Sequence, residues 1–149
     1  MAKNPYTVHP ALLKMGSGDK GTDMESPEAY LKAAPGMVDA MFVGKEALRP
    51  VYDALLQVCL AVGKAATASP GKTIVPIYRN HVIAQIKPTT KTRIDLGLSL
   101  GNMKTPKRLV DTGGFQKKDR ITRRIEVTAL ADIDADLEKW LKTAYDLDS

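Results

Sequence analysis

Hydrophobic and polar positions alternate most regularly between residues 73 and 100. Ile94, Leu96, Leu98 and Leu100 interleave with Arg93, Asp95, Gly97 and Ser99, the period of a strand buried on one face. Two runs of the same kind precede it. The first, 73–79, contains Pro76, which removes a ladder donor and suits an edge strand or a bulge. Asn80, a residue that tolerates left-handed backbone, marks the turn into the second, 81–87, and Pro88-Thr89-Thr90-Lys91 turns the chain into the third, 93–100. A fourth strand is expected over 120–130, beyond a long connection, with Ile121, Ile125 and Val127 facing inward.

The spacing changes to helical on either side. Ser26-Pro27-Glu28 combines a cap, a first-turn proline and an acid, and predicts a helix that stops near Ala34, before Pro35-Gly36; a second short piece follows over 37–42. Leu48, Val51, Tyr52, Leu55, Leu56, Cys59 and Val62 form one stripe, so the main helix runs from Glu46 or Arg49 to Lys64, with Pro50 tolerable only in its first turn. A final helix, capped by Asp132 or Asp134, buries Ile133, Leu137, Trp140, Leu141, Ala144 and Tyr145, with Leu137 and Trp140 as its anchors. The expected fold is α+β, in the order α-α-β-β-β-β-α, with helices packed on one face of a four-stranded antiparallel sheet. Residues 1–25, rich in Gly, Lys, Asp and Ser, read as a flexible lead, and 26–149 as a single domain.

Composition narrows this without redirecting it. At 149 residues and 44% hydrophobic content the chain supports one substantial core. Its single cysteine, Cys59, lies in an apolar helical run and reads as a small buried hydrophobe. No apolar run reaches the ~20 residues of a membrane span and none resembles a signal-peptide core, so a cytoplasmic protein with no membrane association is expected. The net charge of +5 is unevenly spread: residues 1–69 are neutral, 70–127 carry 13 basic and 4 acidic residues, and 128–149 carry 2 basic and 6 acidic. A field of that sign over the sheet region favours anionic partners.

Candidate chemistry is sparse. His9 and His81 are the only histidines and the carboxylates show no ligand spacing, so no metal and no cofactor is expected. No serine elbow or Cys/His pairing points to nucleophilic catalysis, so the sequence leans against an enzyme and leaves the question open. Asp95 and Glu126, each two residues after an arginine (Arg93, Arg124), read as cross-strand ion pairs; Thr128 stands where a nuclease core of that spacing needs a lysine. Two sites remain. Lys72, Tyr78, Arg79, Asn80, His81, Lys87, Arg93 and Asp95 gather near the first hairpin and mix cations, a phenol and a proton carrier. Gly113 and Gly114, with Lys117, Lys118 and Arg120, form a loop whose amides and cations suit an anion. The outward sheet face, with Tyr78 as its one aromatic among cations and two acids, is a third and poorer platform, for nucleic acid.

The run from Lys72 to Leu100, with Asp111-Thr-Gly-Gly-Phe and the stretch from Asp132 to Tyr145, resembles an uncharacterised bacterial domain family often labelled predicted transport protein, with the match extending from about Ala40 to Leu147. Relatives with the opening Asn4-Pro-Tyr-Thr-Val-His-Pro often carry a further small helical domain, for which residues 11–25 are too few. The resemblance implies no catalytic residues. The functional expectation is a small binding or interaction module, monomeric or a small homo-oligomer, whose basic sheet region recognises an anionic ligand or, weakly, nucleic acid. The alternative is an enzyme or small-molecule-binding protein using the hairpin cluster.

Overall fold

The structure, a computed structural model, describes residues 4–10 and 26–149. The fold is α+β, with an antiparallel sheet of six strands rather than four. β2 (Val75–Tyr78), β3 (Val82–Lys87), β4 (Ile94–Leu98) and β6 (Arg123–Val127) are the four that alternation predicts; β1 (Thr67–Ala68) and β5 (Val110–Asp111) are additional, and the order is β1-β2-β3-β4-β6-β5. Because β1 pairs outside β2, Pro76 lies in an interior strand, facing Gln85 one residue before the register shift between Ile77 and Tyr78. The Asn80 turn is present but not left-handed: among the described non-glycine residues only Lys118 has a positive φ.

Register defines the two faces. Ile86 pairs with Leu96, Leu96 with Ile125 and Ile94 with Val127, and these fully buried side chains join the helices in one core. Arg123 occupies the inward position opposite Leu98, which alternation had extended to Ile121. Its guanidinium is buried but satisfied, with Nε donating to Thr105 Oγ1 at 3.1 Å, Nη1 to the Thr122 carbonyl at 2.9 Å and Nη2 to the Met103 carbonyl at 3.1 Å. Ile121 instead lies over Gly97 on the other face, where only a glycine leaves it room. Tyr78, expected on an open face, is buried, as are Ile83 and Thr122.

α1 (Pro27–Met41) begins at the expected cap, with Ser26 Oγ accepting from the Ala29 amide at 3.0 Å, but it runs straight through Pro35-Gly36, so two anticipated helices are one. A proline at 35 has no N–H for the Leu31 carbonyl. Asn4 Nδ2 supplies the missing donor at 2.7 Å. α2 (Arg49–Leu60) has Pro50 in its first turn and ends four residues before Lys64. There the backbone turns so that Gly63 passes under the Tyr145 ring, where any Cβ would overlap it. α3 (Ala135–Leu147) is capped by Asp134, which accepts from the Leu137 amide at 2.9 Å, while Asp132 accepts from the Thr128 and Ala129 amides one turn earlier. Leu137 and Leu141 are fully buried; Trp140 is only partly so, at the edge of the core.

The expected flexible lead is in part a piece of the core. Tyr6 bridges in parallel to Ala68, its hydroxyl meets that of Tyr52 at 2.8 Å, and both rings are buried, which raises both phenol pKa values through desolvation. Residues 11–25 of that lead lie outside the described residues. Among those described, no helix is long and apolar enough to cross a membrane. Cys59 is fully buried and its thiol pKa is pushed up to about 12 by desolvation, which leaves it unreactive.

Candidate functional site

The first-hairpin cluster does not form one site. Tyr78 is covered by His9, which stacks on it at 4.4 Å with an interplanar angle of 16°. Arg93 and Asp95 face outward from β4 beside Arg124 and Glu126 of β6. Arg124 Nη1 lies 3.2 Å from Asp95 Oδ1 and 2.7 Å from Glu126 Oε2, and Arg93 Nε lies 3.1 Å from Asp95 Oδ1, off the line of a hydrogen bond. The cross-strand pairing read from the sequence is therefore present. Lys87 sits opposite Asp95 in register, and Lys72 is exposed in the turn before β2.

Arg79, Asn80 and His81 turn the other way, toward the C-terminal end of α3. Asp148 is the centre of this group: its Oδ2 accepts from the Asn80 amide at 2.9 Å and the His81 amide at 2.6 Å, and its Oδ1 lies 2.7 Å from His81 Nδ1. Burial works against the charge, yet the His81 ring and the two amides hold its carboxyl below the usual range. Arg79 lies 4.1 Å over the Tyr145 ring and donates to the Tyr145 carbonyl at 2.8 Å, while its own carbonyl meets His9 Nε2 at 2.6 Å. An ionised Asp148 accepts only, so His81 Nδ1 is the donor of this contact, and Nε2 lies on the exposed side of the ring. A cleft of about 560 Å³ adjoins His81, lined also by His9, Thr67 and Arg79.

The glycine loop differs from its expectation in the part that matters most for an anion. The Gly113 amide donates to Asp111 Oδ1 at 2.8 Å and the Gly114 amide to Thr112 Oγ1 at 3.1 Å, so neither is available to cradle a phosphate. Gly114 is needed for another reason: a Cβ there would overlap the Ile121 carbonyl oxygen. Beyond it, residues 114–119 close one turn, with the Asp119 amide donating to the Gly114 carbonyl at 2.8 Å and the Lys118 amide to the Phe115 carbonyl at 3.1 Å. This is a helix-ending pattern that normally places glycine in the left-handed position; here Lys118 occupies it, at φ 61°.

That turn forms one wall of a cleft of about 930 Å³, whose other walls are residues 99–103 and Leu147 at the end of α3. Lys118 and Arg120 line it, with Phe115 and Leu147 exposed at its mouth and Asn102 and Gln116 as neutral polar groups. Arg120 also reaches back, Nε donating to the Val82 carbonyl at 2.9 Å and Nη2 lying 3.7 Å from Asp148. Of the loop cations, Lys118 and Arg120 line this cleft, with the acid Asp119 between them, whereas Phe115, Asn102, Leu147 and Asp148 were not read as site residues. The one available signal was Phe115 itself, an aromatic two residues before a pair of lysines and five before an arginine.

A family model described as Domain of unknown function (DUF5655) matches residues 38–148. The chain belongs to this family. No curated protein and no solved structure matches it significantly. In this DUF5655 chain the matched region takes in all six strands, the large cleft and the Asp148 cluster, but not Asn4, Tyr6 or His9. Among the described residues no group of three or more His, Cys, Asp or Glu is placed to hold a metal ion.

Proposed function

We propose that this DUF5655 chain is a small cytoplasmic binding module that recognises an anionic ligand at the cleft between residues 99–103 and the 114–119 turn. The observation that carries this reading is how the basic segment 70–127 divides. Its six arginines are engaged in the fold: Arg79 with Tyr145, Arg93 and Arg124 with Asp95 and Glu126, Arg108 with Asp134, Arg120 with Val82 and Asp148, and Arg123 with Asp111 and the 103–105 segment. Its seven lysines (72, 87, 91, 104, 107, 117 and 118) make no ion pair among the described residues. Guanidinium forks suit fixed partners, whereas ammonium groups on flexible stems remain solvated point charges. The charge left for a partner is therefore lysine charge, and Lys118 lines the large cleft beside Asp119 and Arg120, with Lys117 next to it in the chain.

The test is a titration with fluorescently labelled heparin at low and physiological salt. Binding should weaken steeply as salt rises, and Lys117→Ala/Lys118→Ala should flatten that slope by about two ions' worth. Absence of binding at low salt, or a slope indifferent to that double substitution, refutes the reading.

A second reading rests on the 2.7 Å contact between His81 Nδ1 and Asp148 Oδ1, which orients an imidazole for proton transfer beside the smaller cleft. Hydrolysis of p-nitrophenyl acetate that exceeds free imidazole and is lost in His81→Ala supports it; activity no greater than free imidazole dismisses it.

A further inference from the structure

Phe115 is the one aromatic among the exposed large hydrophobic side chains of the described residues, 46% exposed. It stands in a turn fixed by three backbone hydrogen bonds, two residues from Lys117. An exposed phenyl ring costs hydration and contributes nothing to this core, while a rigid ring beside cations is a stacking platform for a base whose phosphates the cations hold.

Taking the anion-binding reading one step further, we infer that the cleft takes single-stranded nucleic acid, with a base stacked on Phe115 and its flanking phosphates on Lys117 and Lys118. Three features favour a strand over other polyanions and over a free nucleotide. Asn102 and Gln116, on facing walls, each carry donors and an acceptor that match base edges, which a sulfated polysaccharide does not need. The cleft is broad and open to solvent, so a free mononucleotide would stay largely hydrated there, whereas a strand continues outward to further lysines such as Lys104, which makes no ion pair among the described residues. The seven lysines of the basic segment lie in turns and at strand ends, with none on α1, α2 or α3, so none of these helices presents them to a duplex groove.

Fluorescence anisotropy with a labelled oligothymidine of about twelve nucleotides, a duplex of equal length and labelled heparin tests this. The single strand should bind more tightly than the duplex, and Phe115→Ala should weaken it at least about fivefold while leaving heparin affinity unchanged. Because the ring is half exposed, that variant should keep its thermal midpoint. Phe115→Trp should retain binding, with its emission quenched by the oligonucleotide. Equal affinity for the duplex, or a single-strand affinity indifferent to Phe115→Ala, overturns the stacking inference; if heparin still binds, the anion-binding reading survives that result. Failure of every probe to bind at low salt removes both.

Discussion

Asp148→Ala is the most informative single change, because one carboxylate ties the last turn of α3 to the β2–β3 turn. The substitution removes the acceptor of three hydrogen bonds, from the Asn80 amide, the His81 amide and His81 Nδ1, and the attraction to Arg120 at 3.7 Å. Bonds to a charged acceptor contribute about 1.5–3 kcal/mol each when all partners are buried. Here the acceptor is 7% exposed but the His81 side chain is 64% exposed, so water recovers much of what the donors lose. The expected cost is about 2–4 kcal/mol, a fall in Tm of roughly 5–15 °C for a chain of this length. The sign with pH follows from the depressed carboxyl: its stabilisation is complete above the unfolded value of about 3.9 and is lost as pH falls through the lower folded value. Urea denaturation followed by Trp140 emission, at neutral pH and again near pH 3, compares variant and parent while other carboxylates cancel in the difference. The gap should be widest at neutral pH and should narrow in acid. Equal midpoints at neutral pH, or a gap that stays constant into acid, refute the assignment of Asp148 as the tie.

Leu137→Ala should cost about 2–5 kcal/mol and Trp140→Ala distinctly less, because only the leucine is fully buried; equal losses in chemical denaturation would contradict the packing of α3 described above. Lys118→Gly relieves a left-handed side chain, so the thermal midpoint should hold or rise, by up to about 1 kcal/mol of stability, while heparin affinity falls; a destabilised variant would show that the turn needs the lysine for its structure. Asn4→Ala strands the Leu31 carbonyl at a site still reached by water and should lower stability by about 0.5–1 kcal/mol, with no change in urea midpoint counting against the role given to Asn4.

Local signals in the sequence located most of the scaffold. Alternation found β2, β3, β4 and β6, and the caps Ser26 and Asp134 were legible because a cap is settled within three residues. β1 and β5 are two residues each, too short to show any period, and they exist because neighbouring strands offer them edges. Pro35 misled for the opposite reason: its local rule is sound, but the donor that lets the helix pass it is Asn4, 27 residues away. The same distinction governs the candidate sites. Counting charges found the basic segment, yet which cations are already paired depends on long-range partners such as Asp134 for Arg108 and Asp148 for Arg120. Tyr78 to His81 are adjacent in sequence, but their turn delivers Arg79, Asn80 and His81 to α3 while Arg93 and Asp95 stay on the outer face. A run of acids after a run of bases was the available hint that the C-terminal helix would close on the sheet.

The partners of the first described residues follow an order of their own. Asn4 bonds to Leu31, Tyr6 to Tyr52 and then to Ala68, Thr7 to Ala68, and His9 to the Arg79 carbonyl. The separations lengthen from 27 to 46 to 70 residues as the segment is read forward. A ribosome delivering about 5–20 residues each second presents those partners in that sequence, α1 first, then α2, then β1, and finally the β2–β3 turn. Each attachment shortens the loop that the next must close, and loop closure dominates the entropy of forming distant contacts. The segment is thus laid down like a seam stitched from one end during synthesis, whereas a full-length chain refolding from denaturant has every partner at hand at once and no such order imposed on it.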